Sequence, residues 1–74
     1  MNRPPATKPA PMIAEQLRLL YAERALAASA GLASNRSYMD DLEHEISGCR
    51  EAYVGAAVTE IAILRGSLGM RLSG

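Results

Sequence analysis

Hydrophobic residues recur every three or four positions through two long stretches of the chain, with a short polar break around residues 31–37. That period is helical, because side chains three and four apart share one face of a helix. The first stretch is rich in Ala, Leu, Glu and Arg, all good helix formers, and predicts a helix over residues 12–30. Pro11 stands at its start, where a missing N–H costs nothing. Glu15 suits the positive end of its dipole. Ile13, Leu17, Leu20, Arg24, Ala27 and Ala28 make one side of this helix, and Met12, Leu19 and Leu26 make a second row at spacings of seven. One row is enough to pack against one helix, so two adjacent rows point to more than one neighbour.

Gly31 is a natural C-terminal cap, since it takes the left-handed conformation without strain. Ser37 can cap the next helix, with Asp40 where a capping box places Glu or Gln; Ser34 and Asn35 are earlier alternatives. The second helix is predicted over residues 38–65. Its main stripe is Tyr38, Leu42, Ile46, Cys49, Tyr53, Ala56, Ala57 and Leu64, with Glu60 falling inside it. Asp40, His44, Ser47 and Glu51 form a solvated face near the start, and after Tyr53 that polar face shrinks. There Val54, Val58 and Ile61 add a second apolar row. A third row holds only small residues: Gly48, Ala52, Gly55, Thr59, Ala62, Gly66 and Gly69. Glycine inside a helix costs about 1 kcal/mol relative to alanine, so glycines aligned on one face suggest that another helix takes up the space.

Two helices joined by a short connection pack as an antiparallel hairpin. With the turn near Ser34, Arg24 faces the level of Glu45, Leu17 that of Ala52, and Ile13 that of Ala56. Helix 12–30 is the shorter, so everything beyond about Ala57 has no partner in its own chain. Each large aliphatic left in water there forfeits roughly 1.5–3 kcal/mol. The expected architecture is therefore all-α: an antiparallel, coiled-coil-like two-helix hairpin, paired with a second copy into a four-helix bundle. The expected interface residues are Gly55, Val58, Thr59, Ile61, Ala62 and Leu64 on the second helix, with Leu19 and Leu26 on the first. A different protein, or the N-terminal tail, could cover the same surface.

The chain has 74 residues, which allows one small domain. Such a domain usually needs a staple. One cysteine, Cys49, permits no internal disulfide, and no Cys/His cluster offers a metal cage, so association is the staple that remains. Residues 1–11 hold all four prolines and are expected to form a disordered leader; residues 69–74 are expected to be a flexible end. The leader has no apolar core, which argues against a secretory signal. The longest apolar run, Ala52–Leu64, is broken by Thr59 and Glu60 and falls short of the roughly 20 residues that span a bilayer. A reducing, cytoplasmic setting fits these features.

Eight basic and eight acidic residues balance to zero net charge. That balance, with no Trp or Phe, argues against a dedicated nucleic-acid binder. His44 is the sole histidine and lacks ligands or a nucleophile on its face, so it reads as an exposed polar residue. Cys49 lies on the apolar stripe and reads as a small hydrophobe, with a disulfide to a second copy as the sharper alternative. Arg24 and Glu60 read as charges whose stems pack and whose heads reach water, or else as an interchain ion pair that sets register. Tyr38 and Tyr53 read as core aromatics, and Tyr21 as core or interface.

The functional expectation is a small non-enzymatic interaction module: an adaptor, co-chaperone or assembly subunit. It would bind itself or another protein through the C-terminal half of helix two, with no cofactor, metal, membrane or small-molecule substrate. In shape such a hairpin is similar to the small helical co-chaperones of bacterial secretion systems. A small dimeric transcription or nucleic-acid-associated regulator is the alternative.

Overall fold

In the computed structural model, residues 8–73 are described, with side chains through Gly69. Most of the expected leader, residues 1–7, lies outside the described residues, as does Gly74. The chain folds as an all-helical hairpin. Helix α1 spans Ala10–Ser29, a single 3-10 turn covers Leu32–Ser34, and helix α2 spans Arg36–Ser73.

Helix α1 begins two residues before the expected Met12, so Ala10 and Pro11 belong to the helix and not to the leader. Pro9 is its N-cap, and the Pro9 carbonyl accepts the Met12 and Ile13 N–H groups at 3.0 and 3.3 Å. Pro11 sits in the first turn, where α-helical N–H groups have no partner to lose. The helix stops at Gly31, whose φ of 81° is the one positive value among the described residues. A side chain there would crowd the backbone, and glycine avoids that cost. The N-cap of α2 is Asn35, not Ser37: its side-chain oxygen accepts the Tyr38 N–H at 3.1 Å. Asp40 and Asp41 consequently fall in the second turn, past the reach of the dipole's positive end.

Helix α2 extends to Ser73, well beyond the expected end at Arg65 and through most of the expected flexible end. Gly66 and Gly69 do not stop it, because neither adopts a positive φ. Single glycines weaken a helix by about 1 kcal/mol but do not break it as proline does.

The seam between the helices is narrow. Its buried residues are Ala10, Ile13 and Ala27 from α1, and Leu42, Ile46, Cys49 and Ala56 from α2. Leu17, Leu20 and Ala57 pack beside them, half-buried. Ile13 and Ala56 meet in one cluster, as the register count predicts. Ala28, expected on the packed side, is exposed. Among the described residues no side chain is fully enclosed, and only three of the buried ones are large aliphatics. The molecule measures 60 × 32 × 14 Å. A thickness of 14 Å is one layer of helix, since a helix with side chains is about 10–12 Å across. Both broad faces of the hairpin are thus open, whereas a self-sufficient domain usually needs two packed layers.

Candidate functional site

The end of the seam is marked by Glu60. Its carboxylate reaches across from α2 and accepts the Ala10 N–H at 2.8 Å. That N–H is one of the orphan donors of the first turn of α1, and a carboxylate there also meets the positive end of the dipole. Both charges expected within apolar faces therefore find partners in their own chain. Arg24 pairs with Glu43 at 3.0 Å, two residues (about half a turn) from the expected level, and lies 5.0 Å over the Tyr21 ring. Within the single chain, these are the contacts that the Arg24 and Glu60 heads make.

Past Glu60, α2 continues over residues 61–73, beyond the level at which the described part of α1 begins. This overhang exposes Ile61, Ile63, Leu64 and Leu68, at 48–66 % of their full accessible surface. Val54 and Val58 are exposed just before it. Along α1, Met12, Leu19 and Leu26 are also exposed, Leu26 at 70 %, so the second apolar row is not packed against any of the described residues. Large aliphatics stand outside this molecule while alanines fill much of its inside.

Beside the seam lies an open groove of about 810 Å³. Ile13, Cys49 and Ala56 form its floor, Gln16 and Leu20 border it on α1, and Gly48, Ala52, Gly55 and Thr59 border it on α2. The groove wall is thus the first half of the small-residue row. A methyl group added at Gly48, Gly55, Gly66 or Gly69 would meet nothing within 4 Å. The glycines are not required by packing inside the chain.

The expected interface residues are all exposed, but they do not form one patch. Gly55, Thr59 and Ala62 share the groove side, and the Thr59 hydroxyl donates back to the Gly55 carbonyl at 2.9 Å. Val58 and Ile61 border a separate depression with Ala62 and Arg65. Leu64 continues the line of the seam past the end of α1. Leu26 sits three residues before the end of α1, at the turn end of the hairpin and far from the overhang. Ile63, on the overhang's groove side, was missing from that expected set although its exposure is among the highest. Periodicity could have found it, since it lies four residues past Thr59 and seven past Ala56.

The polar candidates make local contacts within the chain. His44 Nδ1 donates to the Asp40 carbonyl at 2.9 Å, on an exposed face. Cys49 is buried, and its thiol donates to the Ile13 carbonyl at 3.6 Å. The Tyr38 hydroxyl donates to Glu23. This bond to a carboxylate, more than burial, holds the Tyr38 hydroxyl above its ordinary ionisation value. The Glu15 carboxyl lies below its ordinary value, chiefly because it accepts hydrogen bonds from Arg18, at 2.6 and 2.9 Å. Among the described residues, no group of three or more His, Cys, Asp or Glu could hold a metal ion, and no helix is long and apolar enough to cross a membrane. Comparison with models of protein families, with curated proteins and with solved structures finds no match.

Proposed function

We propose that this protein is a small, non-enzymatic interaction module: an adaptor, co-chaperone or assembly subunit that works by covering the apolar end of α2 with another chain. The carrying observation is the inverted distribution of apolar residues. Val58, Ile61, Ile63, Leu64 and Leu68 are exposed on or next to the end of α2 that α1 does not reach, while only three large aliphatics, Ile13, Leu42 and Ile46, are buried in the seam. Soluble proteins rarely expose so many large aliphatics along one helix end outside an interaction site. The binding surface is read as Gly55, Val58, Thr59, Ile61, Ala62 and Leu64, joined by Ile63.

The test is a triple variant, Thr59→Glu, Ala62→Glu and Ile63→Glu. These side chains are exposed, so the hairpin should keep its helical content. Light scattering on the pure chain and pull-down from the source cell then report association. Loss of association in the variant is expected. Association equal to that of the parent chain, or a parent chain that associates with nothing, overturns the reading.

A further inference from the structure

The overhang and the groove match in length. Residues 61–73 rise about 20 Å, and α2 borders the groove from Glu45 to Thr59, about 21 Å. The two segments adjoin on the same helix, on either side of Thr59–Glu60. A two-fold axis beside Thr59 therefore lays the overhang of one copy along the groove of another, and the reverse at once. We propose that the occupant of the groove is the overhang of a second copy of this chain, with the two α2 helices packed antiparallel about Thr59. The proposal rests on the interaction-module reading and names its partner.

Three observations favour a second copy. The accessible surface is 6152 Å², against roughly 4,400 Å² for a compact monomer of this mass. Second, one layer of helices placed on another makes the two-layer bundle that a single hairpin lacks. Third, the row of small residues is self-complementary about the axis. Gly55 meets Ala62 of the second copy, Ala52 meets Gly66, and Gly48 meets Gly69, so small residues face small residues throughout. The open space above these glycines is the space the second helix fills. The Thr59 hydroxyl, already bonded to its own chain, brings no unsatisfied donor to the axis.

The flanks agree with this register. In a two-fold antiparallel pair, the same flank of each helix meets its counterpart. Glu51 and Arg65 lie on the outer flank at nearly equal distances from Thr59, and so approach each other's partners across the axis. Ile63 lies on the inner flank and enters the groove beside Ala52 and Ala56 of the second copy. Val54, Val58, Ile61 and Leu68 face away from this contact and stay open to a further chain.

Light scattering over a concentration series should give a dimer. Gly55→Leu should weaken dimerisation by about a hundred-fold or more, because the added side chain enters the contact twice. A second measurement keeps the register testable if that variant also loses its fold. In a Cys49→Ala background, Thr59→Cys should form a covalent dimer on mild oxidation, since the axis brings the two sulfurs together. Val54→Cys, on the far side of the helix, should not. A parent chain that stays monomeric at every concentration overturns the proposal, as does cross-linking through Val54→Cys in place of Thr59→Cys. Either result leaves the interaction-module reading standing, because that reading fails only if the triple glutamate variant associates as the parent does or the parent binds nothing.

Discussion

The bond from Glu60 to the Ala10 N–H offers the sharpest local test, because one side chain ties together residues fifty positions apart. Replacing Glu60 by Ala removes the acceptor and leaves the first-turn N–H of α1 to water. Comparable N-cap losses cost about 0.5–2 kcal/mol. The carboxylate's interaction with the dipole adds about 0.3–1 kcal/mol at an exposed site. Glu60 is itself exposed, so solvent screening trims the charged share and the expected total is about 1–2 kcal/mol. For a chain of this size that corresponds to a fall in Tm of roughly 4–16 °C. Glu60→Gln keeps an acceptor of similar reach and should recover more than half of the loss. Thermal denaturation by circular dichroism, at one fixed protein concentration because association shifts Tm, supplies the totals. Hydrogen exchange locates the effect: the amides of Ala10, Met12 and Ile13 should lose protection first, while those around Leu42 and Ile46 keep theirs. Equal Tm and equal protection of the first turn in Glu60→Ala would refute the claim that this contact closes the hairpin.

Other outcomes follow from the seam and its flanks. Ile46 is 2 % exposed between the helices, so Ile46→Ala should cost about 2–4 kcal/mol in denaturant melts, a large share of a small chain's stability. The Tyr38 hydroxyl, held above its ordinary ionisation value by its bond to Glu23, contributes stability that is present at neutral pH and lost as pH rises through the raised folded value. Glu23→Gln should shift the Tyr38 transition to lower pH in an ultraviolet tyrosinate titration. Cys49, enclosed at the groove floor, should react with a thiol reagent only slowly in the folded chain and rapidly in denaturant.

The sequence by itself determined the two helices, the turn at Gly31, the side of each helix that packs, and the overhang. Each of these depends on local patterns or on counting. Apolar spacing sets a helix face, a glycine permits φ of 81°, and helices of unequal length joined by a short turn must leave one end unmatched. The tertiary structure alone decided the rest. Whether Glu60 reached water, a second copy or a backbone N–H depended on where the start of α1 fell beside it, and a long flexible side chain carries no local mark of its partner. The start of α1 at Ala10 depended on that same contact, which draws a proline-flanked residue into the seam. The continuation of α2 to Ser73 was hidden by glycines that read locally as a stop, although their backbone stays helical. Above all, the row of small residues could have served a close approach inside the hairpin or outside it. Only the placement of α1 on the neighbouring side of α2 showed that the space above Gly48 and Gly55 is open to solvent.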